Sequence, residues 1–598
     1  MALFTPALPE LDYELWRQQT RMDRLKPMVR HWAEMGFGAP DAVYLIYIVK
    51  LAAYVLGAGL FLVATPGVGG LGDVSRWFTQ PVVIEKVVIW TLLFEVLGLG
   101  CGFGPLTLRF VPPIGAFLHW LRPGTIRLPA WPTRVPATRG WTRTWLDVAL
   151  YIAVLASAVW ILLSPATRSS GGLSIHQMIE PWRFVPLLVL LPVLGLRDKT
   201  IFLAARAEVY WTTAIMFLLP GSDMIIGAKL ATLAIWVGAA ASKINKHFPY
   251  VVSVMMSNNP FLRVRAIKRR FHRDFPDDIR PSRLSEMMVH GGTVFEFSVP
   301  LILFCSHGGI VTNVAAAGMI LFHLNILSSL PMGVPLEWNL YMMFAVGYLF
   351  VHYASYNPAD ITGVGPGLVI GAVVVGLVGG IVIGNFAPSK ISFLPGMRYY
   401  AGNWDTSLWC LTPSAVAKID AHVRKAATFP RAQLAKLYGE QMADMLSVKG
   451  YAFRAMHPHG RALFGLIERA CGANHETDYI PVDGEFVAGT TIGWNFGDGH
   501  LHNECLIAAL HERCDFASGE VRVIILDAQP IHRSSQEYRL VDAATGELER
   551  GLVQVRDMVA LQPWAGEIPV QVIAAEKVSS KPSHANLGHP PRGSSVSE

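Results

Sequence analysis

Runs of about twenty apolar residues recur over the first two thirds of the chain, and a run of that length lets a helix cross the hydrocarbon core of a bilayer. About ten are counted, near 43–65, 82–101, 144–163, 183–197, 200–220, 223–243, 287–306, 309–330, 338–356 and 366–386. Lipid offers the backbone no hydrogen bonds, so runs of this kind fold as helices. Of the 598 residues, 52% are hydrophobic and 16% charged, with a mean hydropathy of +0.37. That balance excludes an ordinary soluble protein and predicts a polytopic membrane protein. The run 183–197 is short enough to be re-entrant, which would invert everything after it.

The opening segment carries Glu10, Asp12, Glu14, Arg17, Arg21, Arg24, Lys26 and Arg30 where a signal peptide would have an apolar core. Residues 1–42 are therefore expected to form a cytoplasmic amphipathic segment. Positive charge gathers in alternate loops: Arg109, Arg122, Arg127, Arg134, Arg139 and Arg143 in one, and Arg263, Arg265, Lys268, Arg269, Arg270, Arg273, Arg280 and Arg283 in another. The positive-inside rule makes both loops cytoplasmic and, with ten spans, puts both termini inside the plasma membrane. The net charge of +6 then reflects topology, and no nucleic-acid partner is expected.

The fold expected is an all-α membrane domain over 43–386 followed by a soluble α+β domain over 387–578. The latter opens helically from Pro413 through Leu446 and turns to strands such as Val521–Asp527 and Gly551–Val559. The tail 579–598 has the composition of a disordered segment. Six cysteines (Cys101, Cys305, Cys410, Cys471, Cys505, Cys514) make no C-x-x-C pair, and free thiols are expected.

Ionisable groups at bilayer depth are costly and mark working sites. His290 and Glu296 lie in one apolar run, six residues apart and so about 120° apart around a helix. They make sense as walls of a cavity shared with other helices. The next run holds His323 and Asn325, with Ser328 and Ser329 after it. Tyr341, Tyr348, His352 and Ser355 recur at seven, four and three in the ninth run, which makes one polar face. Lys229, Trp236 and Lys243 follow each other at sevens in the sixth run. Lys243 either snorkels to the interface or is drawn into the pocket. Glu95 and Glu208 are further carboxylates in apolar runs, and Arg206, two residues before Glu208, cannot share its face. Each of these groups also has a plainer use, a hydrogen bond to a neighbouring helix.

The order of these elements resembles the vitamin K-dependent gamma-carboxylase-like membrane proteins, also called the horizontally transferred transmembrane domain family. The likeness covers about residues 85–360. It lies in the span from Trp236 to Lys243, the stretch Phe-Glu296-Phe-x-x-Pro300-Leu-x-Leu, then Phe-His323-Leu-x-Ile and an aromatic span. The resemblance implies a quinone or isoprenoid pocket, with Lys243 at the position of the family's lysine and Glu296 and His323 at matching helix positions. The charge count puts Lys243 on the cytoplasmic side, whereas the animal enzyme works on the lumenal side. The whole chain also looks like one of the large multi-span membrane proteins of actinobacteria.

In the soluble domain, His500 and His502 form an H-x-H that in an extended segment turns both imidazoles to one side, suiting a metal with His511 or Glu504 as the third ligand. A loop followed by a capped helix explains the same segment without metal. No P-loop and no dinucleotide fingerprint is present.

These features predict an enzyme acting on a lipid-soluble substrate, a quinone or prenyl lipid. Its catalytic groups are Lys243, Glu296 and His323, and its pocket is lined by His290, Asn325, Tyr348 and His352. A quinone is the cofactor implied, and the lipid bilayer and a lipid-soluble small molecule are the partners. Two alternatives use the same features: a proton-coupled or solute carrier or channel, and a membrane scaffold whose C-terminal domain recruits a cytoplasmic protein.

Overall fold

The computed structural model describes residues 3–70, 72–100, 116–169, 177–329, 336–392, 394–398, 401–494 and 499–575. Cys101, Arg109 and the tail 579–598 lie outside the described residues. Twelve helices organise the N-terminal two thirds: α1 (Arg21–Met35), α2 (Asp41–Val63), α3 (Pro81–Val96), α4 (Trp145–Leu163), α5 (Val185–Arg197), α6 (Ala207–Ile215), α7 (Gly221–Ser242), α8 (Phe248–Asn258), α9 (Arg283–Cys305), α10 (Gly309–Leu327), α11 (Leu336–Ala345) and α12 (Val364–Phe386). Their starts follow from local chemistry. Pro81 opens α3 at a position where its missing N–H is no loss, Thr144 and Asp147 form a reciprocal capping box on α4, and the Ser282 hydroxyl accepts from Ser285 N at the start of α9.

Six of these, α2, α4, α7, α9, α10 and α12, are long and apolar enough to cross a membrane. Of the about ten spans expected, six have this length among the described residues; the other four apolar runs fold as shorter or interrupted helices. The run 82–101 stops at Val96, leaving sixteen residues, or ~24 Å at 1.5 Å per residue against the ~30 Å of a hydrocarbon core. Every residue of α3 but Trp90 is buried, so this helix is sheathed by protein. The run 183–197 yields thirteen helical residues. The run 200–220 breaks before α6 at Arg206, whose φ of 55° lies in the left-handed region. In the run 338–356, α11 widens after Ala345 into π-helical turns over Val346–His352.

A six-stranded antiparallel sheet forms the C-terminal part: β1 (Thr406–Leu411), β2 (Ile480–Asp483), β3 (Val521–Leu526), β4 (Ser535–Asp542), β5 (Gly546–Gln554) and β6 (Val570–Ala575), in the order β6-β5-β4-β3-β1-β2. In register, Trp409 of β1 lies opposite Val523 on one side and Val482 on the other. The segment expected as a strand over 551–559 changes to a helix at Val555. Helix α13 (Glu440–Met456) covers the sheet and receives α1, with Trp32 and Phe453 rings 5.6 Å apart. The opening segment thus packs into the C-terminal part of the molecule.

Both basic loops meet this same part. Arg513 donates to Gly124 O at 2.9 Å, Trp120 Nε1 donates to Ile492 O at 3.2 Å, and Arg280 Nη1 donates to Ala560 O at 3.0 Å. Some of the loop charge is structural. Arg143 pairs with Asp198 at 2.7 Å and Arg197 with Asp147 at 2.5 Å, all four buried.

Candidate functional site

Helix α7 ends in Gly238-Ala-Ala-Ala-Ser242, and its small residues let a neighbour come close. A Cβ on Gly238 would collide with the side chain of Ile381 in α12. The helix therefore lies hard against α12, and the Ser242 hydroxyl reaches the carbonyl of Met397 at 2.7 Å. Lys243 follows as the C-cap and turns inward, where its ammonium forms an ion pair with Glu296 of α9. Both side chains are buried, at 9% and 7% exposure. Two turns earlier on α7, Trp236 Nε1 donates to His323 Nε2 of α10 at 3.2 Å. The opposite ring nitrogen, Nδ1, sits 3.0 Å from Asn339 Oδ1 of α11.

Around these groups is a cavity of about 470 Å³, within the range of about 300–1,000 Å³ usual for small-molecule sites. One wall is the face of α8 that carries Phe248, Val252, Met255 and Met256; Trp236, Phe322 and Trp338 supply aromatic surface. Aromatic rings and adaptable methionines suit a large apolar ligand. At Gly291 and Gly292 the α9 wall has no side chain, and a Cβ there would meet nothing within 4 Å. Beside them Met288 is 38% exposed, so the cavity is thinly walled towards the outer face of α9.

Of the residues singled out in the sequence, Lys243, Glu296, His323 and Asn325 all line this cavity. His290 does not. It lines a second cavity of about 590 Å³ at the junction with the C-terminal part, which Lys243 also touches. Tyr348 and His352 lie elsewhere. The Tyr348 hydroxyl donates to Gln80 O at 2.6 Å, and the His352 ring stands edge-on to Tyr353 with centroids 4.4 Å apart. Their expected face assumed 100° per residue throughout, and the π-helical turns break that spacing. Lys229 is also removed from the cavity: its ammonium donates to the carbonyls of Tyr353 and Tyr356 at 2.6 and 2.7 Å, closing the end of those turns.

Glu208 and Arg206, noted in the sequence but not assigned to the pocket, also line the cavity, as do Trp338 and Asn339, which sequence reasoning passed over. Arg206 stands outside α6 in its left-handed conformation, so the rule that forbids i and i+2 from sharing a helix face does not apply to it and Glu208. Its guanidinium lies over the Trp338 ring at 4.7 Å. Both carboxyl oxygens of Glu208 are buried and accept no hydrogen bond from any other described residue. Glu95 is held apart from the cavity, bonded to Glu337, which pairs with Lys50 at 3.0 Å.

The three histidines considered as metal ligands have separate surroundings. His502 Nδ1 is 2.7 Å from Ser407 Oγ on β1, His500 Nε2 is 3.4 Å from Asp405 and 3.2 Å from Pro388 O, and His511 packs near Phe516. Burial pushes the His502 imidazole down to about 4, so it is neutral at ordinary pH. Among the described residues no three His, Cys, Asp or Glu side chains converge as a metal site. Cys305, Cys410, Cys471, Cys505 and Cys514 are free thiols.

No curated protein and no solved structure matches the chain. Comparison with protein families supports a membrane protein and lends nothing to the gamma-carboxylase-like relationship. The match takes in the helical bundle and all but the end of the sheet, so the two parts belong to one family architecture: over residues 1–573 the chain belongs to the family described as transmembrane protein of unknown function, DUF3556.

Proposed function

We propose that the chain is a membrane enzyme that acts on a lipid-soluble substrate, a quinone or prenyl lipid, held in the cavity between α7, α8, α9, α10 and α11. The observation that carries this reading is the Lys243–Glu296 ion pair set in the wall of an otherwise largely apolar cavity. A buried ion pair is a poor stability device, because desolvation offsets most of its attraction. Placed against a pocket, it supplies a proton donor and acceptor side by side. In this reading the Lys243 ammonium donates a hydrogen bond to an oxygen of the substrate, and Glu296 compensates the ammonium charge and takes up a proton that the substrate loses. His323 acts as a positioning residue, since both its ring nitrogens are engaged by Trp236 and Asn339. Both termini lie on the cytoplasmic side, in keeping with the basic loops that meet the C-terminal part.

One observation favours a second reading. Lys243 faces the junction cavity as well as the apolar one, an arrangement that also suits a carrier with a path through both. Mass spectrometry of the lipids that co-purify with the full-length protein tests the first reading. Wild type is expected to retain a quinone or prenyl lipid that Glu296→Gln and His323→Ala, still folded, fail to turn over. Wild-type turnover by both variants removes the enzyme assignment, and solute flux into liposomes without product establishes the carrier.

A further inference from the structure

The junction cavity has a composition unlike the first. Lys243, Lys246, Arg556 and His290 line it, and no carboxylate does. Lys243 is neutralised from the other side by Glu296. Lys246 has no carboxylate in ion-pair range among the described residues, and Arg556 has only Asp557 at 3.5 Å, with an arginine side chain 80% exposed. An exposed pair of that kind leaves most of the charge available. Thr293 of α9 stands on the same wall, and its hydroxyl oxygen is buried without a hydrogen-bond partner among the described residues. Two cations and a hydroxyl converging on one space match the several oxygens of a phosphate ester better than a neutral group.

The setting narrows the ligand further. Asn385, at the end of α12, and Gln529 and Gln554 of the C-terminal part all border the cavity, so it lies where the bundle meets the sheet. Lipid head groups occupy that level of a membrane, just outside the hydrocarbon. Lys243 lines both cavities, so the basic one opens beside the polar end of the apolar one.

We infer that the two cavities together hold a phosphate-bearing lipid, its phosphate ester between Lys246, Arg556 and Thr293 and its chain among the methionines and aromatic rings beyond Lys243. The inference rests on the reading of the apolar cavity as a lipid site and, of the two substrates proposed for it, selects a prenyl lipid that carries a phosphate.

Native mass spectrometry of the full-length protein in detergent, titrated with oleoyl lysophosphatidic acid and with monoolein, tests it. The two lipids share a chain and differ by the phosphate. Lysophosphatidic acid is expected to bind about tenfold more tightly, the worth of one or two charge-assisted hydrogen bonds. The double variant Lys246→Gln/Arg556→Gln should lose that preference and keep its affinity for monoolein, which also reports that it is folded. Equal binding of the two lipids by wild type, or a preference that survives in the double variant, overturns the phosphate assignment and leaves the apolar cavity as a lipid site. Binding of neither lipid overturns both readings. Displacement of lysophosphatidic acid by inorganic phosphate at matching concentration assigns the basic cavity to a soluble anion and overturns the lipid.

Discussion

The indole N–H of Trp236 donates to Nε2 of His323 at 3.2 Å, and because tryptophan can only donate, that nitrogen must carry the lone pair. The ring proton therefore sits on Nδ1 and donates to Asn339 Oδ1 at 3.0 Å. Three helices are tied through one imidazole in one tautomer. Trp236→Phe keeps the aromatic bulk and removes the donor, leaving a buried acceptor unsatisfied at a cost of about 1–3 kcal/mol. Thermal unfolding in detergent should register that loss, and an unchanged midpoint would show that the ring is not held through Nε2.

The Lys243–Glu296 pair gives a test in which stability and function part company. Glu296→Gln alone leaves a buried ammonium without its counter-charge, and breaking such a pair costs about 3–5 kcal/mol. Lys243→Met with Glu296→Leu removes both charges and restores an apolar wall, so the double variant is expected to be close to wild type in stability. Its turnover of the co-purifying lipid should be lost all the same. A double variant as unstable as Glu296→Gln would argue that the pair holds the bundle together.

What the sequence reveals of this site, and what it hides, follows from the kind of signal each residue sends. Lys243, Glu296, His323 and Asn325 are polar groups inside apolar runs, and that rarity alone singles them out; one cavity receives all four. Arg206 and Glu208 are visible as polar groups, but the assumption of an unbroken helix sets them on different faces, and the left-handed Arg206 violates it. Tyr348 and His352 are misplaced by the same assumption, since π-helical turns alter the face they present. Trp338 and Asn339 start α11 in a run whose apolar character masks them. The strand β1 escapes notice because all six of its residues are buried, leaving no alternation to read. Hydropathy marks more runs than the six helices that reach membrane length among the described residues, because it does not distinguish a helix facing lipid from one, like α3, surrounded by protein.

Acid should destabilise the C-terminal part through its buried histidines. Burial holds His457 down to about 3 and His502 to about 4, and His459 well below its ordinary 6.5. In the unfolded chain all three titrate near 6.5. Between that value and about 4 the unfolded state binds protons that the folded state does not, so stability is fully present above pH ~6.5 and falls as pH drops towards 4. For each histidine, every pH unit crossed in that window costs the folded state about 1.4 kcal/mol at most. Denaturant unfolding of the full-length protein at pH 7.5, 6 and 5 measures the slope, and His502→Gln should reduce it by up to one proton. A flat profile over that range would mean that these rings reach water.

Tyr348 and His352 separate the face read from sequence from the cavity seen in the fold. Tyr348 spends its hydroxyl on Gln80 O, just before α3, and His352 packs on Tyr353 and Phe78. Tyr348→Phe should therefore cost about 1 kcal/mol, one neutral hydrogen bond, with lipid occupancy unchanged. His352→Ala should also leave occupancy alone. Glu208→Gln is expected to do the reverse. Its carboxyl oxygens lie buried at the cavity wall without a hydrogen bond from any other described residue, so an amide of the same shape replaces the group at little cost to folding. The carboxyl group nonetheless faces whatever fills the cavity, and replacing it should change which lipids are retained. Lipid mass spectrometry on the three variants decides: a profile altered by His352→Ala and untouched by Glu208→Gln would return the site to the face that periodicity alone predicts.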